Sequence, residues 1–146
     1  TKFTWPELEQ EVNALLIANP DKDKVLIEFR GELEAEIYSD KHLLQLVLVN
    51  LIDNAIRFRK VDGNATPMCM IDVMALPSGY RILVKDNGEG VEDGIKDKIF
   101  DMFFRGSEYS SGSGLGLYIC KLATRKLNGS IELLSSTRGE TIFELI

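Results

Sequence analysis

The stretch LVLVNLIDNAIRF, Leu46 to Phe58, constrains this chain more than any other. Wound at about 100° per residue, it is apolar on nearly every side, with Leu44, Leu48, Ile52, Ala55 and Ile56 flanking a stripe that begins at Leu43 and Val47. A helix apolar all round is a buried helix, so the segment from about Lys41 to Phe58, capped by Ser39 or Asp40, is expected at the centre of a core. Asn50, Asn54, Arg57 and Phe58 share one stripe of it. Asparagine is a poor interior residue because its side chain competes with the backbone for hydrogen bonds. A buried amide left unsatisfied costs on the order of 1–3 kcal/mol. One such residue reads most simply as bonded to nearby backbone. Two on one stripe, with an arginine and an aromatic a turn later, point to a ligand. An amide oxygen is a neutral hard donor suited to Mg²⁺. Arg57 would face phosphate, and Phe58 would offer a ring to a base.

The length suits one domain with a real core, and the formal net charge of −6 argues against nonspecific binding of nucleic acid. No apolar run reaches the roughly 18 residues needed to span a bilayer. The polar start, TKFTWPELEQ, reads as structured chain rather than a leader, so a cytoplasmic protein without membrane contact of its own is expected. Cys69 and Cys120 are isolated, form no metal-binding spacing, and read as two buried thiols.

Thr4-Trp5-Pro6-Glu7 is a capping box opening a helix through Leu8, Val12, Leu15 and Leu16. Strands are expected at Val25–Phe29, Glu34–Ser39, MCMIDVMAL and YRILVKD, the last two joined through Pro77-Ser78-Gly79. A short helix is expected around Ile95–Phe103, and another from Leu115 to Leu127, ended by Asn128-Gly129. SIELLSS and ETIFELI close the chain as a hairpin across Thr137-Arg138-Gly139. Together these elements predict an α+β fold: a two-layer sandwich with a mixed, mainly antiparallel sheet packed on about three helices.

Three further stretches carry chemistry. In VKDNGEGV, Asp86 ends a strand where its carboxylate can accept from an exocyclic amine, while Gly88 and Gly90 let a planar ring approach the backbone; an ordinary acidic turn would look much the same. In GSGLGLYICK, Gly112, Gly114 and Gly116 lead into a helix, whose free N–H groups and dipole favour an anion. No G-K-[ST] follows and no strand leads in, so this is neither a P-loop nor a dinucleotide fingerprint. In IFDMFFRG, Phe100, Phe103 and Phe104 read mainly as core, while Arg105 could swing onto a phosphate at the edge of a small-residue loop over about 104–113, a candidate lid.

In this order, and over Thr4 to Ile146, the stretches resemble the boxes of the Bergerat-fold (GHKL) ATP-binding domain, and in particular the catalytic domain of bacterial sensor histidine kinases. NLIDNAIRF resembles the asparagine box, DNGEG the first glycine box, IFDMFFRG the phenylalanine box and GSGLGLYICK the second glycine box. RGETIFEL resembles the closing G-x-T-x-F element. The resemblance implies ATP and Mg²⁺ as cofactors, with Asn54 as the metal ligand. It implies that Asp86 accepts from the adenine amine, that Gly88 and Gly90 shape the base pocket, and that Thr141 supports it through water. Phe58 and Phe104 would pack on the nucleotide, Arg57 and Arg105 would touch phosphates, and Gly112, Ser113, Gly114, Leu115, Gly116 and Leu117 would cradle them. Asn50, Arg57 and Arg105 form the implied catalytic group. Asn50 stands where ATP-hydrolysing relatives carry a glutamate; an amide cannot act as a general base, which favours a kinase over a hydrolase. Ser110 and Ser113 replace the basic or amide residues common in the lids of relatives, and one glycine, Gly139, stands where two are common.

The only histidine, His42, lacks the acidic neighbour and proline of the family's acceptor helix. The resemblance therefore implies that the acceptor histidine belongs to a dimerisation domain elsewhere in a longer parent protein, with a response regulator downstream. An anti-sigma-type serine kinase, a nucleotide-binding module without transfer, and a DNA-linked ATPase clamp are the competing readings.

Overall fold

The computed structural model describes residues 2–31, 34, 36–59, 66–77, 79–90, 98–101, 116–137 (135–137 as backbone only) and 140–145. The chain opens with strand β1 (Lys2–Thr4) and helix α1 (Trp5–Leu16), followed by a 3-10 turn at Lys22–Lys24. Strands β2 (Leu26–Gly31) and β3 (Glu36–Tyr38) precede helix α2 (Lys41–Arg57). Strands β4 (Met68–Leu76) and β5 (Gly79–Asp86), helix α3 (Gly116–Lys126), and strands β6 (Ile131–Thr137) and β7 (Glu140–Leu145) complete it.

Five strands form the main sheet in the order β2-β4-β5-β7-β6, with β2 and β4 parallel and every other pair antiparallel. The three helices among the described residues and this sheet make the expected α+β sandwich. Strand β1 pairs with β3 in a separate two-stranded sheet, an element the sequence reading did not include. Strand β3 is shorter than expected, and β2 runs on to Gly31, which lies in register with Val73 of β4.

Helix starts follow the local chemistry. The Glu7 amide donates to the Thr4 hydroxyl at 3.2 Å, and the Thr4 amide donates back to the Glu7 carboxylate at 3.4 Å. Asp40, not Ser39, caps α2, accepting from the Leu43 amide at 3.1 Å. Helix α3 ends where Asn128 takes the left-handed conformation (φ +60°) and the Gly129 amide donates to the Thr124 carbonyl. The expected helix at 95–103 falls mostly outside the described residues; 98–101 form a single turn, with the Asp101 amide donating to the Lys98 carbonyl.

The core joins Leu8, Val12 and Leu16 of α1 to Leu48, Leu51, Ile52 and Ile56 of α2 and to Ile71 and Val84 of the sheet. Glu11 ties the two helices together, accepting from Gln45 at 2.7 Å and from Lys41 at 3.1 Å. Helix α2 is not buried all round, which corrects the expectation. Val47, expected on the asparagine stripe, is fully buried, but Leu46 is 41% exposed, Asn50 and Asn54 are half-buried, and Arg57 is exposed. α1, α3 and the sheet enclose much of α2 and leave Asn50 and Asn54 only half-buried, so the amides need no full desolvation.

Candidate functional site

The sheet brings Asp86 into the site. It is the last residue of β5, in register with Cys69 on β4 and with Thr141 on β7. Both neighbours are buried, Thr141 to 5% exposure. The Gly88 amide donates to Asp86 Oδ1 at 2.9 Å, folding the turn back onto the carboxylate. Burial pushes the Asp86 carboxyl up to about 6, and the Gly88 N–H opposes that shift. Cys69, expected as a buried thiol and buried here, lies beside this carboxylate; burial, then the Asp86 charge, drive its thiol well above the ordinary range.

The turn is latched to α2. Phe58, the helix C-cap, donates its amide to the Asn54 carbonyl and accepts at its own carbonyl from the Glu89 amide, both at 3.0 Å. Gly88 sits directly against that carbonyl: an added Cβ would lie 2.6 Å from Phe58 O and 2.9 Å from Asp86 Oδ1. The backbone approach therefore demands glycine at 88. Gly90 adopts φ +81°, a conformation that favours glycine. One end of α2 and one end of β5 thus converge, with Asn54, Phe58, Asp86, Gly88 and Gly90 around the junction.

The two amides have different surroundings. Asn50 Nδ2 donates to the Leu46 carbonyl at 2.8 Å, and a Cβ added to Gly116 at the start of α3 would lie 3.2 Å from Asn50 Oδ1. Asn50 therefore abuts the helix that Gly116 opens, with Leu117 half-buried beside the core. Among the described residues no side-chain hydrogen bond engages Asn54, which is half-buried on the same stripe. A single uncommitted carboxamide oxygen fits Mg²⁺, which keeps several waters and takes phosphate oxygens alongside few protein ligands. No cluster of three or more His, Cys, Asp or Glu occurs among the described residues, so an ion here would depend on phosphate and water for most of its ligands.

Arg57 is exposed and lines a groove of about 370 Å³ with Asp53, Asn19 and Asp21. Arg59 is committed elsewhere: its guanidinium donates to the Ile56 carbonyl at 2.8 Å and lies 3.8 Å from Asp21. His42 is exposed in the first turn of α2, roughly 18 Å along the helix from Asn54 by its twelve-residue separation. Phe104, Arg105, Gly112, Ser113, Gly114 and Leu115, and the candidate lid at 104–113, lie outside the described residues.

Residues 39–146 match the sequence profile of the family described as histidine kinase-, DNA gyrase B- and HSP90-like ATPases. The sensor protein CiaH of Streptococcus pneumoniae is 30% identical over 124 residues, covering 82% of this chain and 27% of its own length. The sensor protein KdpD of Escherichia coli K12 is 31% identical over 147 residues, covering 99% of this chain and 16% of its own. The chain thus spans about a quarter or less of these curated relatives. Among solved structures, the nucleotide-free catalytic domain of histidine kinase ThkA superposes with a TM-score of 0.75 at 26% identity, covering 99% of this chain and 93% of that one. With its asparagine-bearing helix joined to the Asp86–Gly90 turn, and with sensor histidine kinases among its relatives, the chain belongs to the histidine kinase-, DNA gyrase B- and HSP90-like ATPase family.

Proposed function

We propose that this chain is the catalytic domain of a sensor histidine kinase. It binds Mg²⁺–ATP and passes the γ-phosphoryl group to a histidine on a dimerisation domain of a longer parent protein, from which a response regulator receives it. In this reading the domain works in the cytoplasm, including as the cytoplasmic part of a membrane-anchored sensor. The observation that carries the reading is the latch of the Asp86–Gly88 turn onto the Phe58 carbonyl, which brings the Asp86 carboxylate to the end of α2 that carries Asn54.

Asp86, with Oδ1 held by the Gly88 amide, keeps Oδ2 for the adenine amine. Thr141, in register beside it, supports the carboxylate through water, while Phe58 packs on the base or sugar. Asn54 holds Mg²⁺, which when bound offsets triphosphate charge. Arg57 and Arg105 reach the phosphates, and the amides from Gly112 to Leu117 cradle them. Phosphoryl transfer needs mostly positioning and electrostatics from the protein. The acceptor imidazole nitrogen attacks the γ-phosphorus in line, a nitrogen–phosphorus bond forms, ADP leaves with the electrons of the broken oxygen–phosphorus bond, and the proton on the other ring nitrogen passes to a base of the acceptor domain. Asn50 donates its amide to the Leu46 carbonyl and cannot take a proton from water, so idle hydrolysis stays slow.

The test is calorimetric titration of ATP with and without Mg²⁺ on wild type and Asn54→Ala. Wild type should bind more tightly with the ion, and the variant should lose that gain. Equal metal dependence in both would remove Asn54 from the site.

A further inference from the structure

The family resemblance leaves Asn87 without a role, and between Asp86 and Gly88 it reads as an ordinary turn former. Its half-buried carboxamide instead clamps the neighbouring strand. Asn87 Oδ1 accepts from the Met68 amide at 2.8 Å, and Nδ2 donates to the Thr66 carbonyl at 2.9 Å. The Asn87 amide also donates to the Met68 carbonyl at 3.3 Å. The Cys69–Asp86 pair is the last rung of the β4–β5 ladder, so the side chain of Asn87 supplies the next one. Pro67 between its two partners has no amide to give, and its carbonyl accepts from the Leu26 amide at 2.9 Å, at the start of the β2–β4 pairing.

This clamp fixes the side of the Asp86–Gly88 turn that the Phe58 latch does not reach. The Glu89 amide holds the turn to α2, and Asn87 holds it to the entry of β4. With both in place, the backbone on either side of Asp86–Gly88 is tied down, and the Gly88 amide so held donates to the Asp86 carboxylate at Oδ1. A carboxylate so fixed can distinguish a base that carries an amine from one that does not, because a donor it is built to meet is then missing.

We propose that Asn87 is a positioning residue that sets discrimination for a 6-aminopurine by holding the Asp86 carboxylate; this rests on the proposed placement of adenine at Asp86. The experiment measures the affinities of ATP and of purine riboside triphosphate, which lacks the 6-amino group, on wild type, Asn87→Ala and Asn87→Thr, with melting curves alongside. Wild type should prefer ATP by about tenfold, the worth of one well-placed hydrogen bond. Asn87→Ala should lose most of that preference while keeping its affinity for the amine-free nucleotide. Asn87→Thr, whose hydroxyl replaces one clamp bond, should fall between them, and it carries the test if the alanine variant does not fold. Equal weakening toward both nucleotides, or an undiminished preference in the variants, would overturn the proposal. A wild type without preference would overturn the placement of adenine at Asp86, a separate and distinguishable failure.

Discussion

Asp86→Asn should make the nucleotide-free domain more stable while disabling it. Burial raises the carboxyl from 3.8 to about 6, so the folded chain bears a cost for keeping this group ionised. That rise, at roughly 1.4 kcal/mol for each tenfold change in proton affinity, sets a ceiling near 3 kcal/mol. Asp86 is only half-buried, and solvent screening reduces the figure to about 1–2 kcal/mol. The sign follows from a folded-state pKa above the unfolded one. The cost is fully present above about 6, shrinks as the folded carboxyl takes up a proton, and is gone below 3.8. Asparagine keeps an Oδ1 for the Gly88 amide and carries no charge at any pH. The variant should therefore melt about 2–6 °C above wild type at about pH 8, with the gap closing by about pH 4. Paired calorimetry should show at least about tenfold weaker ATP binding, since an acceptor has become a mixed donor and acceptor. Identical melting temperatures at about pH 8, or a gap that persists into acid, would refute the assignment of that cost to Asp86.

Three further outcomes follow from the same geometry. Wild-type affinity for ATP should be flat above about pH 7 and fall up to tenfold per unit as Asp86 protonates below about 6, a dependence absent from Asp86→Asn; calorimetry across pH checks this. Gly88→Ala places a Cβ 2.6 Å from the Phe58 carbonyl, so the turn must shift. Its nucleotide affinity should drop at least about tenfold, with about 1–3 kcal/mol of stability lost to overpacking, read by denaturant melts. Burial pushes the Cys120 thiol up to about 12 and Cys69 higher still, so neither should be alkylated in the native domain near pH 8. Both should label on unfolding, and mass spectrometry showing fast native labelling would contradict their burial.

Much of this arrangement was legible because its signals are local. The 3.6-residue period marks α2 and places Asn50 and Asn54 on one stripe, and the Thr4–Glu7 spacing marks the start of α1. What the period cannot say is how much of a helix its neighbours enclose, which is why α2 looked buried all round and is only half-buried along the asparagines. Strand β1 was missed because three residues carry no alternation of their own; pairing with β3 across more than thirty residues defines it. The parallel β2–β4 pair and the placement of Cys69 beside Asp86 are likewise matters of register. Asn87 and Thr66 lie 21 residues apart, so their hydrogen bond leaves no local pattern in the sequence.

The most direct test of the central claim is phosphoryl transfer itself. The domain, supplied with Mg²⁺ and γ-labelled ATP, is mixed with the dimerisation domain that the proposed function requires, and the labelled bond is characterised by its stability to acid and base. The expected product is an acid-labile, base-stable phosphohistidine on the dimerisation domain, lost with Asn54→Ala. Acid-stable phosphoserine on a partner, or release of free phosphate without any labelled protein, would contradict the account.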